Sequence, residues 1–176
     1  TAVVFGLGPI GLLIIEALRA AGASKIYGVE LSPERQAKAE ELGAIIVRPE
    51  EGEDVVAAIQ RLTGGGADVS YEVTGVPVVL GHALAAVHKA GECMVVSIWE
   101  REANINPNEF AIQEKSLKGI IAYRHIFPKV LELMEQGYFS ADKLVTKKIK
   151  LEDIVQEGFI ELTQDKAQIK ILVSPE

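Results

Sequence analysis

The chain has 176 residues and a formal net charge of −7, with 48% hydrophobic and 24% charged side chains. These proportions suit one globular unit and exclude an extended disordered chain, and the acidic balance argues against a basic surface for nucleic acid or anionic membrane. A single cysteine, Cys93, excludes an internal disulfide framework and any multi-cysteine zinc or iron–sulfur site, and a lone thiol fits a reducing, cytoplasmic setting.

Residues 2–5 read as a buried strand, and a chain that opens inside a core element looks like a piece of a longer protein. A glycine-rich turn and a helix to about Ala21 follow. The apolar stretch at 10–18 is interrupted by Gly11 and Glu16 and is shorter than the ~20 residues of a membrane span. No basic segment precedes it, so it is not a signal peptide. Residues 25–30 predict a second strand. Ser32 can cap the next helix, Pro33 can open it, and Gly43 closes it. A short strand at 44–47 is followed by a helix at 53–62 with Val55, Val56, Ile59 and Leu62 on one face. Strands at 68–72, 92–98 and 117–122 then alternate with a helix at 77–87, and 100–108 reads as a polar loop. Six strands with intervening helices imply an α/β fold with a doubly wound parallel sheet. Past Phe127 the alternation breaks down. A helix at 128–137, a strand at 144–149, a helix near 151–163 and a strand at 168–173 form a tail, so the division expected is 1–137 and 138–176.

Gly6-Leu7-Gly8-Pro9-Ile10-Gly11 is a G-x-G-x-x-G turn placed after a strand and opening a helix. Gly6 permits the tight turn, Gly8 lets backbone approach a pyrophosphate, and Gly11 lets helix and strand pack closely. The helix N-terminus aims free N–H groups and a positive dipole end at the phosphates. Glu30 follows at the end of the second strand, where a carboxylate accepts both ribose hydroxyls and repels a 2′-phosphate, which favours NAD over NADP. Arg35 reads either as a contact to the same ribose or as a solvated helix charge.

The segments 5–11, 29–35 and 42–44 resemble the cofactor domain of zinc-dependent medium-chain alcohol and polyol dehydrogenases, and Tyr71-Glu72-Val73-Thr74-Gly75 is similar to the end of that family's fourth strand. Residues 97–100, 106–108, 114–116, 147–154 and 170–175 together look like 2,3-butanediol dehydrogenases, although sorbitol and threonine 3-dehydrogenases share much of the frame. The resemblance implies a Rossmann-type fold whose tail rejoins a catalytic domain. It also implies that Pro9 and Ile10 join the glycines around the pyrophosphate, and that Glu30 and Arg35 hold the adenosine ribose. Val73, Thr74 and Gly75 would line the adenine and ribose side. Val96, Ser97 and Ile98 would flank the nicotinamide, and backbone groups near Ile120 and Ala122 would hold its carboxamide. Lys170 falls where the family often has arginine, so a point charge replaces a fork on the pyrophosphate. It further implies a homodimer through an edge strand at 117–122.

The same family binds zinc in a separate domain, so zinc is expected in the parent enzyme and not on this chain. His82, His88 and His125 are scattered and read as surface or half-buried residues. Cys93 reads as a small core residue, and Glu50, Glu51, Glu53 and Asp54 as a solvated helix start. The reading is an NAD-binding domain of an oxidoreductase that takes hydride from a secondary alcohol or vicinal diol. The alternatives are a sorbitol or threonine 3-dehydrogenase cofactor domain and a non-catalytic NAD-sensing module.

Overall fold

A computed structural model describes residues 1–139 and 141–175. The strands β1 (Ala2–Phe5), β2 (Ile26–Val29), β3 (Ile45–Ile46), β4 (Ala67–Glu72), β5 (Val87–Val95) and β6 (Ser116–Gly119) form one sheet in the order β3-β2-β1-β4-β5-β6. Every neighbouring pair is parallel. The crossovers that parallel pairing requires carry α1 (Pro9–Ala20), α2 (Pro33–Glu41), α3 (Val55–Thr63) and α4 (Pro77–Ala85).

All of β1 is buried, and its side chains alternate between two layers. Val3 and Phe5 pack with Ile59 of α3 and Leu84 of α4, whereas Val4 packs with Leu12 and Ile15 of α1 and Ala39 of α2. One strand therefore feeds both faces, which is the doubly wound α/β arrangement expected from the alternation of strands and helices. The helix starts follow local chemistry. The Ser32 side chain accepts the Arg35 N–H with Pro33 in the first turn, and Asp54 accepts the N–H groups of Val56 and Ala57. Gly64, at φ 77, closes α3 in the left-handed region.

Some of the expected elements need correction. The fifth strand runs over Val87–Val95 rather than 92–98. Its pairing with β4 steps from Ala67↔Val87 to Val69↔Glu92, so five positions of β5 face two of β4, and Ala90 at φ 62 lies in the excess. The sixth strand stops at Gly119, which leaves Ile120 and Ala122 beyond it, and a short helix α5 (Asn108–Ala111) closes the loop that precedes it.

In the tail, α6 (Phe127–Glu135) and α7 (Ala141–Leu144) lead to β7 (Val145–Lys150), which pairs in parallel with β8 (Lys170–Ser174) as a second sheet. The single helix expected over 151–163 is instead a 3₁₀ turn (Leu151–Asp153), a π-helical segment (Ile154–Ile160) and α8 (Glu161–Gln164). Leu144 and Ile169 are buried in the same cluster as Leu7 and Leu12, so the second sheet packs beside the start of α1. Among the described residues no helix is long and apolar enough to cross a membrane.

Candidate functional site

The strand order reverses between β1 and β4, and in open α/β sheets a ligand crevice lies there, at the carboxyl ends of the strands. β1 runs directly into the glycine turn. Gly6 donates its N–H to the Val29 carbonyl of β2, and the Val73 N–H beyond β4 bonds the Phe5 carbonyl, so the turn is held from both sides.

The three glycines of the turn are needed for different reasons. A Cβ at Gly6, already at φ 93, would lie 2.7 Å from Thr74 Cγ2, and one at Gly11 would lie 2.0 Å from the Gly6 carbonyl oxygen. Packing alone therefore requires both. Gly8 has ordinary extended backbone, at φ −71 and ψ −168, and the nearest atom to a Cβ there is Arg35 Nη1 at 3.9 Å. The protein itself does not forbid a side chain at Gly8, so packing within the chain does not account for the glycine there. No side chain caps α1 at Gly8, and Pro9 and Ile10 of its first turn are exposed. The N-terminal N–H groups and positive helix end thus face the space above Gly8.

Glu30 closes one side. Its carboxylate accepts the Leu7 N–H of the turn at 3.0 Å, the Leu31 N–H at 2.7 Å and the Ser32 N–H at 3.1 Å. Arg35 Nη1 stands 3.8 Å from the same carboxylate, with the Glu30 side chain 11% exposed and that of Arg35 32% exposed. The acid is thereby fixed next to the turn, with Arg35 beside it.

The opposite wall starts at β4. Thr74 is exposed and abuts Gly6, while Gly75, at φ 69, lies so close to the next loop that a Cβ would meet the Ile98 carbonyl at 2.9 Å. The Val96 N–H bonds the Glu72 carbonyl at 3.0 Å, Ser97 is partly buried, and the Ile98 side chain is 83% exposed. Ile120 donates its N–H to the Val95 carbonyl at 3.1 Å. An unbroken series of contacts therefore joins Arg35, Glu30, the glycine turn, Val73–Gly75, Val96–Ile98 and Ile120 along one end of the sheet. Ala122 is exposed at φ 54, two residues past Ile120. Lys170 lies in the second sheet, one residue after the buried Ile169, and its carbonyl accepts the Thr146 hydroxyl.

Glu72 is the residue that the sequence pattern does not single out. It is fully buried at the end of β4, and its carboxylate accepts hydrogen bonds from the Thr74 N–H and hydroxyl, the Gly75 N–H and the Ser97 hydroxyl. An acid in the last position of a strand, with Thr74 and Gly75 just beyond it, was the available sign.

Other titratable groups play structural parts. Cys93 is buried in the core, and that burial pushes its thiol above the ordinary range. His88 is half exposed, with Nδ1 2.5 Å from the Lys89 carbonyl and Nε2 3.1 Å from Asp68. Both contacts, the first more strongly, raise its pKa. Among the described residues no group of three or more His, Cys, Asp or Glu side chains is gathered so as to hold a metal ion.

Residues 9–136 match the family model described as zinc-binding dehydrogenase. The chain belongs to that family. It is 65% identical to (R,R)-butanediol dehydrogenase of Bacillus subtilis (strain 168) over 99% of its own length and 50% of that relative. It is 38% identical to (R,R)-butanediol dehydrogenase of Neisseria gonorrhoeae, with the same coverage of both chains. The crystal structure of 2R,3R-butanediol dehydrogenase from Bacillus subtilis superimposes with a TM-score of 0.96 at 64% identity, covering 100% of this chain and 51% of that one. The chain thus spans about half the length of the relatives it matches, and its sheet corresponds to their cofactor-binding half.

Proposed function

We propose that this chain is the NAD-binding half of an oxidoreductase that moves hydride from a secondary alcohol or vicinal diol, of the 2,3-butanediol type, to NAD. The observation that carries the cofactor reading is the pairing of an open Gly8 with a carboxylate fixed beside it by the Leu7 N–H. The substrate class rests on the 65% identity to the Bacillus subtilis butanediol dehydrogenase. Bound NAD supplies the hydride acceptor, C4 of its nicotinamide.

The work of this chain is binding and orientation. The α1 N-terminus with Gly6, Gly8, Pro9, Ile10 and Gly11 holds the pyrophosphate, and Lys170 adds a point charge from the second sheet. Glu30 and Arg35 hold the adenosine ribose, and Val73, Thr74 and Gly75 line that side. Val96, Ser97 and Ile98 wall the nicotinamide, with backbone at Ile120 and Ala122 on its carboxamide. Zinc, which the family's name implies, finds no gathered ligands among the described residues, so it would be held elsewhere in the whole enzyme. The chain alone should bind NAD without turning over alcohol, because it spans about half the length of its relatives and orienting the substrate would take the rest. The reading extends to a cytoplasmic homodimer joined at β6.

Calorimetric titration of NAD and NADP tests the cofactor assignment. A 2′-phosphate would sit against the Glu30 carboxylate, and like charges so placed cost several kcal/mol. NADP is expected to bind at least tenfold more weakly, and equal or tighter NADP binding overturns the assignment. For the whole polypeptide, NADH release from 2,3-butanediol, compared with sorbitol and threonine, tests the substrate class.

A further inference from the structure

We propose that Glu72 is a positioning residue that locks the wall after β4 to the loop after β5, and so sets the place of the nicotinamide; the inference rests on the NAD-binding reading above. The Glu72 side chain is fully buried, yet each of its hydrogen-bond partners is neutral. A buried carboxylate without a charged partner is expensive to keep, unless several donors converge on it. Here four do. Three come from Thr74 and Gly75, and the fourth is the Ser97 hydroxyl, 25 residues away in sequence. The Glu72 carbonyl also accepts the Val96 N–H, so one residue holds the second loop by both side chain and backbone.

Two close approaches extend this connection. Thr74 packs against Gly6, and Gly75 packs against the Ile98 carbonyl. The carboxylate therefore lies behind the crevice and touches neither cofactor nor substrate, while tying together the surfaces that do. Among the described residues, the Ser97 hydroxyl is the carboxylate's hydrogen-bond partner on the nicotinamide side. Truncating the Glu72 side chain removes the side-chain tie to that loop and also loosens Thr74, whereas removing the Ser97 hydroxyl removes that tie only; the backbone bond from Val96 to the Glu72 carbonyl stays in both.

Binding of NADH and of ADP-ribose, which lacks the nicotinamide, to the whole polypeptide tests this. In S97A the preference for NADH over ADP-ribose should fall at least fivefold, with ADP-ribose affinity within twofold of wild type. In E72A the same preference should fall as far, with a further few-fold loss for both ligands. The S97A/E72A double variant should be no worse than E72A, because the two residues share one hydrogen bond. E72Q should restore the preference to within threefold, since its amide keeps an acceptor for Thr74 and offers N–H to a Ser97 hydroxyl that can accept. Unchanged preference in S97A, or additive losses in the double variant, would overturn the proposal, and S97A decides the matter even if E72A does not fold. Wild type that binds neither ligand would sink the NAD reading and this inference with it.

Discussion

At the scale of single residues, the glycine turn separates folding from binding. Gly8→Ala places a methyl group in space the protein leaves open, in a backbone conformation alanine adopts without strain. NAD affinity should fall by tenfold or more, while the thermal midpoint stays level or rises slightly, because alanine restricts the unfolded chain. Gly11→Ala should do the reverse first: its Cβ would overlap the Gly6 carbonyl, and overpacking of this kind costs about 1–3 kcal/mol of stability. Titration calorimetry alongside thermal melts checks both, and a destabilised but normally binding Gly8→Ala protein would contradict the division. The turn and Glu30 were legible because their spacing reports a local backbone requirement. Glu72 was not, because its partners Thr74 and Ser97 come together only when β4 and β5 pair.

At the scale of elements, α3 shows how local charge sets a helix. Asp54→Ala removes the acceptor for two N–H groups and should cost about 1 kcal/mol in urea unfolding. Beside it, hydrogen bonds from Arg61 to both oxygens, helped by the Glu50 N–H, hold the Glu53 carboxyl down to about 2 from its ordinary 4.5. Because the folded value lies below the unfolded one, the contribution is present above about pH 4.5 and is lost as pH falls toward 2. The gap in urea midpoint between wild type and Glu53→Gln should therefore be open at pH 7, narrow as pH falls below about 4.5 and close only below about pH 2; a gap that widens in acid would refute the pairing. The Arg61 side of the pair is exposed, so salt should narrow the gap at neutral pH as well.

Elements with strong punctuation were legible. β1, α1 and α2 follow from an apolar run, a glycine turn and a Ser32-Pro33 start. β5 was misplaced because its bulge at Ala90 depends on its register against the start of β4, which apolar patterning does not encode. The stretch 151–163 has helical periodicity, but such a pattern does not distinguish i→i+4 from i→i+5 bonding, so the π segment stayed hidden.

At the scale of the whole molecule, β6 is an edge of the main sheet, and Ile120 and Ile121 beyond it are 54% and 78% exposed. An unprotected edge of this kind invites a partner strand. Sedimentation of the whole polypeptide should give twice the chain mass, and Ile121→Lys, which sets a charge on each copy at the junction, should shift it to monomer. A variant that stays dimeric would place the contact elsewhere.

The central place of β1 also has a consequence for synthesis. Val3 pairs with Tyr27 on one side and with Ser70 on the other. At translation speeds of about 5–20 residues per second, the second partner leaves the ribosome roughly 3–13 seconds after β1 does. Through that interval a fully buried strand of the finished protein has one flank unclaimed, and it is then a target for chaperones or for another nascent chain. Slowing elongation between β2 and β4 should lengthen this exposure and lower the yield of soluble protein, whereas slowing it after β6 should not.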